Sequence, residues 1–406
     1  MEKLWTRDFT ILTFGSVVSV FGNALAGFAI SLMVLDYSDS VFLFVLFMVV
    51  FNLPRVIAPM LAGPLLDSFS RRKTIYMMDF FSAGLFIFLF FLLAQGFFNY
   101  PFLLAMTFLK GTVDSIYFVA YESLYPVLVA KGNFRKAYSV SSMIMPLSAV
   151  MMPIAAFLYD RIGVGQILLY SAIAFFIAAC LETQIRVDET HLREEDSKYR
   201  FSEFKASMRE GIEYIREEKG LQVITAYFFV AMFAFSSQSL LLPYFRDTPH
   251  LSVMLYTLVV GAAVFGRFVG GALQYKIELP KEKKFMIAMF VYVVSSFIEI
   301  GYLFTPVAVM TTLMFITGLL TVTSFNIRMS TTQDYIPDEK RARFNGTFQM
   351  VMTFGTISGQ LIAGALAEII PIRAVVVIYG AIVLTAAFLI MWRGRKHVIP
   401  IYNRTV

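Results

Sequence analysis

Apolar segments of about 20 residues, the length that carries a helix across a bilayer's hydrocarbon core, recur from one end of this 406-residue chain to the other. No water reaches backbone groups in that core, so a spanning segment must satisfy its own hydrogen bonds, as a helix does. Twelve such spans are read, at about 9–35, 41–66, 74–96, 101–129, 137–160, 164–184, 221–245, 251–275, 284–304, 306–334, 344–369 and 373–392. Composition agrees: charged residues make up 15%, where a soluble chain carries about 25%, too few to cover a soluble surface. The expected fold class is an all-α polytopic membrane protein, with twelve transmembrane helices in two pseudo-symmetric six-helix bundles. The apolar run from Phe9 is too long for a cleavable signal peptide and leads straight into a second span.

One polar interval, 185–220, divides the chain. The expected organisation is an N-terminal bundle over 1–184, a linker over 185–220, and a C-terminal bundle with a short tail over 221–406. Within the linker, Phe201, Phe204, Met208, Ile212 and Ile215 recur at helical spacing with charges between them, the pattern of an amphipathic helix. Basic residues orient the chain. With both termini inside, the inner segments hold 27 Lys and Arg, and the outer ones only Arg161, Arg246 and Arg373. That distribution also explains the net charge of +6 without nucleic acid, because the positive side faces anionic lipid.

Other classes are excluded by what is missing. A single cysteine, Cys180, forms no intramolecular disulfide, and His191, His250 and His397 are too scattered for a metal cluster. No nucleophile–base pair or phosphate loop suggests an enzyme, and no cofactor is expected.

The halves are related by an offset of about 207 residues. Gly63-Pro64-Leu65 falls on Gly271-Ala272-Leu273, and spans 4 and 10 both run into short basic turns, from Leu128 and from Tyr335. The loop after span 2 reads Gly63-Pro-Leu-Leu-Asp67-Ser-Phe-Ser-Arg71-Arg72-Lys73. It resembles the signature G-x-L-x-D-R-x-G-R-[RK] of the major facilitator superfamily, with Ser68 and Ser70 replacing the usual Arg and Gly. The resemblance extends over the whole chain through the twelve-span plan and the midpoint loop. It implies secondary transport by alternating access, with a solute site near the midplane between the halves. It also implies an inner gate of Gly63, Asp67, Arg71 and Arg72. Gly63 permits close packing, Asp67 meets the positive end of span 11, and the arginines pair with acids or helix ends of the other half.

Within the superfamily the chain is similar to the branch of macrolide-efflux, siderophore-export and lysophospholipid-transport proteins. That likeness rests on Gly22-Asn23 in span 1, the Ser38-Asp39-Ser40 turn, Pro54 in span 2, and FSEFKASMREGIEYIREEKG before span 7. Span 5 carries Pro153-Ile-Ala155-Ala156, which resembles the G-P-x-x-G-G signature of antiporter members with alanines in place of glycines. Span 11 carries Gly355, Gly359 and Gly364, suited to close helix packing. A bacterial cytoplasmic membrane, cytoplasmic termini and a monomer are the corresponding expectations.

Ionisable residues within spans are costly and so mark function. In span 4, Thr107, Lys110, Asp114, Tyr117 and Tyr121 form one polar stripe, and Lys110 and Asp114 are spaced to pair. Drug exporters of the superfamily carry R-x-x-x-G here; Lys110 matches the arginine and Asp114 replaces the glycine. Burial disfavours an ionised carboxylate and a neighbouring cation favours it, so Asp114 takes a proton when Lys110 swings away. A static ion pair is the alternative. Proton coupling is therefore expected at Asp114, Lys110 and Glu122. Substrate contacts are expected from Asn23, Arg55, Tyr117, Tyr121, Gln238, Asn326 and Arg328. Arg267 and Glu299 are further charges within spans, and Asp79 is a candidate for the gate. With Asp79 assigned to the gate, the cations Arg55, Lys110, Arg267 and Arg328 outnumber the acids Asp114, Glu122 and Glu299, which favours an anionic or zwitterionic solute.

The expected function is proton-coupled export of an amphipathic small molecule, of drug, macrolide or siderophore type. The partners are that solute, protons and membrane lipid. A lysophospholipid substrate stays open on the same fold, and a non-transporting receptor or scaffold is the distant rival.

Overall fold

The computed structural model describes residues 5–55, 70–129, 134–187, 201–276 and 279–403. Among these, every regular element is helical, and the chain divides into two compact units, Met1–Tyr199 and Arg200–Val406. Each of the twelve apolar segments is chiefly helical over its described residues. Ten helices are long and apolar enough to cross a membrane, and Val41–Asn52 is a shorter one.

The first unit opens with α1 (Arg7–Ser38), which starts where the Thr6 side chain accepts a hydrogen bond from the Phe9 amide at 3.2 Å. It ends at Asp39, in the left-handed region, and Ser40 at once caps α2 (Val41–Asn52) by accepting from Leu43 N. The Ser38-Asp39-Ser40 turn is thus a stop signal followed by a start signal. Helix α3 (Arg71–Ala94) is capped by Ser70, and α4 (Tyr100–Leu128) by Asn99 with a proline in its first turn. A long helical stretch, α5 (Phe134–Glu182), contains spans 5 and 6. They are separated at Gly163, whose φ of 76° and ψ of 169° suit only glycine.

Helices α1 and α4 meet α5 and α3 around a core that includes Phe9, Leu12, Ile75, Leu124, Tyr125 and Ile185. Gly111 of α4 lies directly against the Phe51 carbonyl of α2. A β-carbon there would run into backbone, so these two helices approach closely because position 111 has none.

The second unit begins with α6 (Phe201–Glu217), the amphipathic helix. It packs on α12 (Asp338–Ala367), with Glu210 paired to Arg343 and Gly211 against Thr347. Span 7 is built from α7 (Lys219–Phe235), a 3₁₀ turn over Ser236–Leu240, and α8 (Leu241–Asp247). Then follow α9 (Val253–Lys276), α10 (Lys284–Gly301) and α11 (Val307–Tyr335). After α12 come α13 (Ile372–Ala386), continued by one π turn to Trp392, and the tail helix α14 (Arg395–Tyr402).

Two close crossings frame this unit. Gly266 of α9 meets the Phe315 carbonyl of α11, and Gly318 of α11 meets the Ala263 carbonyl of α9. Gly355 and Gly359 of α12 meet the Phe229 and Phe233 carbonyls of α7. The tail helix seals the core with Val398, Ile401 and Tyr402. Many large apolar side chains remain exposed, Phe268, Phe290 and Phe354 among them. In a bilayer these are the side chains that meet lipid.

Candidate functional site

The polar residues of the first unit converge on the α1–α4 contact. Lys110 and Asp114, one turn apart on α4, form an ion pair, their side chains 7% and 15% exposed. Asn23 of α1 closes a three-membered ring with them. Lys110 Nζ donates to Asn23 Oδ1 at 3.1 Å, and Asn23 Nδ2 donates to Asp114 Oδ2 at 3.2 Å. The ammonium also lies over the rings of Phe175 at 4.7 Å and Phe86 at 5.5 Å. Rings and amide together replace part of the hydration that a buried ammonium loses.

Two further acids lie in the same interior. Asp79 of α3 is 2% exposed and accepts from the Ser19 hydroxyl of α1. Glu182, at the end of α5, is fully buried, and Tyr117 Oη of α4 donates to its Oε1 at 3.0 Å. Tyr117 Oη also lies 3.5 Å from Ser16 Oγ of α1. Ser16, Ser19 and Asn23 are spaced i, i+3 and i+7, so they share one face of α1, and each meets a different acid-bearing group.

Asp79, a gate candidate by sequence, lies in this interior. Glu182 escaped sequence reasoning because it stands next to the polar linker and looks like a loop residue. The available signal was its being the sole charge within 164–184. With Asp79 and Glu182 counted, the described interior of the first unit holds three acids and one lysine.

The remaining sequence candidates are distributed differently. Tyr121 stacks on Tyr117 with ring centroids 6.3 Å apart. Glu122 is exposed and stands apart from the network, and Arg55 is exposed over the Phe51 ring. Gly63 and Asp67 lie outside the described residues. Arg71 Nη1 donates to the Ser123 carbonyl at 3.1 Å, and Arg72 Nη1 to the Ile185 carbonyl at 2.7 Å. Both arginines thus dock on carbonyls near the C-terminal ends of helices in their own unit, where a helix dipole welcomes positive charge.

In the second unit, Gln238 and Ser237, within the 3₁₀ turn of span 7, both donate to Glu299 of α10, at 2.8–3.0 Å. Asn326 of α11 donates to Gln274 of α9 at 2.9 Å, and Gln274 to Thr323 at 2.7 Å. Arg328 lies among three rings, with Phe348, Phe228 and Phe325 at 4.6, 5.2 and 5.4 Å.

This arrangement is that of a polytopic helical transporter: two helical units, with polar and charged side chains held inside spans. A family model of the Major Facilitator Superfamily matches residues 12–336 and 283–401. The chain belongs to the major facilitator superfamily, and it is an integral membrane transporter rather than an enzyme. It is 25% identical over 316 residues to the uncharacterized MFS-type transporter YkuC of Bacillus subtilis, covering 74% of this chain and 72% of that one. It is 23% identical over 302 residues to macrolide efflux protein A of Streptococcus pyogenes, covering 71% and 73%. The fold is shared with the nucleoside transporter NupG at a TM-score of 0.70 and 11% identity, covering 95% and 98% of the two chains. It is shared too with a bacterial homologue of the iron transporter ferroportin in its inward-facing state, at a TM-score of 0.67 and 15% identity, covering 96% and 98%.

Proposed function

We propose that this transporter is a proton-coupled exporter of an amphipathic small molecule, working by alternating access in a bacterial cytoplasmic membrane. The observation that carries the reading is the Lys110–Asp114–Asn23 ring, a neutral but chemically asymmetric pair inside a span. A purely structural role would be served as well by apolar packing, since a buried ion pair adds little stability over well-packed hydrophobic residues. Its use lies in being breakable. A solute whose acidic group draws Lys110 away leaves Asp114 with only the Asn23 amide, and protonation then neutralises it. Similarity to a macrolide efflux protein supports export and a solute of that amphipathic kind.

Arg328, held by rings instead of a carboxylate, keeps its charge available to an acidic group on the solute. The gate belongs to the same proposal, with Asp67 and the arginines at 71 and 72 latching the inner side.

The test is transport of erythromycin, a macrolide, into proteoliposomes under an imposed pH gradient. Asp114→Asn is expected to reduce gradient-driven transport to background while the purified chain keeps its helix content. Full gradient-driven activity in that variant removes the relay.

A further inference from the structure

Beneath the Lys110–Asp114 pair, the structure assigns Asp79 and Glu182 as a second proton-binding station, occupied by protons in this conformation and drawing on them through the α1 face; its link to transport rests on the proton-coupled reading above. The first argument is charge balance. The charged and titratable groups facing Asp79 are Lys110, Asp114 and Tyr117 of α4 and Glu182 of α5; those facing Glu182 are Asp79, Tyr117 and Tyr121. Lys110, the one cation of the set, is bonded to Asp114 and Asn23. Among the described residues neither Asp79 nor Glu182 has an ion-pair partner. If both were ionised, three buried carboxylates would share the single positive charge of Lys110, an unfavourable balance in such an interior.

The second argument is the hydrogen bonding. An ionised carboxylate has about four lone-pair sites to fill. Asp79 receives the Ser19 hydroxyl and Glu182 the Tyr117 hydroxyl. Glu182 Oε2 is buried without any hydrogen-bond partner. That is a poor environment for an anion and an acceptable one for a neutral acid. Gly15 of α1 leaves the space this carboxyl fills, for a β-carbon there would come within 3.0 Å of Glu182 Oε1.

The third argument is continuity. Ser16, Ser19 and Asn23 climb one face of α1 over roughly 10 Å, at 1.5 Å per residue. Along that face Ser16 meets Tyr117, the donor to Glu182, then Ser19 meets Asp79, then Asn23 meets the ion pair. When Lys110 leaves Asp114, the O–H bond of Asp79 breaks and an O–H bond forms on Asp114. Lys110 then becomes the counter-charge of the new Asp79 carboxylate. Atoms and charge balance without any further reactant, and Glu182 holds the next proton to be delivered.

Infrared difference spectroscopy of the full-length chain in lipid at neutral pH tests this without any solute. The wild type should show protonated-carboxyl C=O stretches that respond to hydrogen–deuterium exchange. Asp79→Asn and Glu182→Gln should each remove one component, and Asp114→Asn none. Because an amide variant can fail to fold, Tyr117→Phe serves as a second probe. It keeps both acids and should shift only the Glu182 component. Carboxyl bands unchanged by all of these substitutions overturn the assignment, as does a wild type without such bands. Wild-type liposomes that move no protons with erythromycin would count against the transport reading alone, since the infrared measurement does not depend on it.

Discussion

The two units solve the problem of polar groups inside spans in opposite ways. At the 207-residue offset that lays Leu128 on Tyr335, Lys110 and Asp114 fall on Thr317 and Thr321, and Tyr121 falls on Arg328. In α11 each threonine hydroxyl bonds a carbonyl of its own helix: Thr317 donates to Leu313 O at 3.0 Å, and Thr321 to Thr317 O. Those positions need nothing from a neighbour. In α4 the corresponding positions carry full charges and recruit Asn23 from α1. The charges of the second unit are kept apart, Glu299 among neutral donors and Arg328 among rings. A duplicated framework thus carries a linked set of charged groups in its first half, and charges held singly in its second.

That contrast can be broken most forcefully at Lys110. Lys110→Met leaves Asp114 buried with only the Asn23 amide, and removing one partner of a buried pair costs about 3–5 kcal/mol. Thermal unfolding in detergent should show a large drop at neutral pH, relieved in the double variant Lys110→Met/Asp114→Leu. A single variant as stable as wild type would mean that Asp114 is already neutral.

Close packing in the second unit offers an intermediate effect. Gly318→Ala pushes a methyl into the Ala263 carbonyl, and overpacking of this kind costs about 1–3 kcal/mol. Gly261→Ala, on the same helix pair with open space at its β-position, is the control and should be neutral in the same unfolding assay.

A smaller effect is expected at Arg328. Arg328→Gln removes three ring contacts, worth about 0.5–2 kcal/mol as a cation–π site, and breaks no ion pair. If Arg328 meets an acidic group on the solute, its loss should raise the KM for anionic solutes more than for neutral ones. The smallest effect belongs to Glu122→Gln, which should change stability by less than about 0.5 kcal/mol, as for an exposed site. It should also leave gradient-driven transport intact. Loss of coupling in Glu122→Gln would move the proton path from the α1 face to the exposed side of α4.

Much of the fold was legible because hydropathy and caps are local signals. Thr6, Ser40, Ser70 and Asn99 each mark a helix start in the sequence and each bonds its helix. Span 4's polar stripe was legible for the same reason, since i, i+4 spacing alone brings Lys110 to Asp114. Asn23 as their third member was not, because that contact joins residues 87 and 91 positions apart. Nor was Glu182, whose burial depends on Gly15 of α1 leaving room for it. Arg71 and Arg72 carry an orientation charge that any counting rule finds, but the carbonyls they bond belong to α4 and to the segment just after α5. Local periodicity says which residues are unusual; only tertiary contacts say what they are paired with.

The 3₁₀ turn of span 7 is held by more than its own backbone. Within the 3₁₀ turn the regular backbone ladder lapses, and hydroxyls take over some of its work: Ser236 donates to the Phe233 carbonyl and Ser239 to the Ser236 carbonyl. Gly359 of α12 presses on that same Phe233 carbonyl, and Tyr379 of α13 donates to the Gly359 carbonyl at 2.9 Å. The junction of α7 with its 3₁₀ turn is therefore braced from outside by two neighbouring helices, α12 at the Phe233 carbonyl beside the turn and α13 through Gly359.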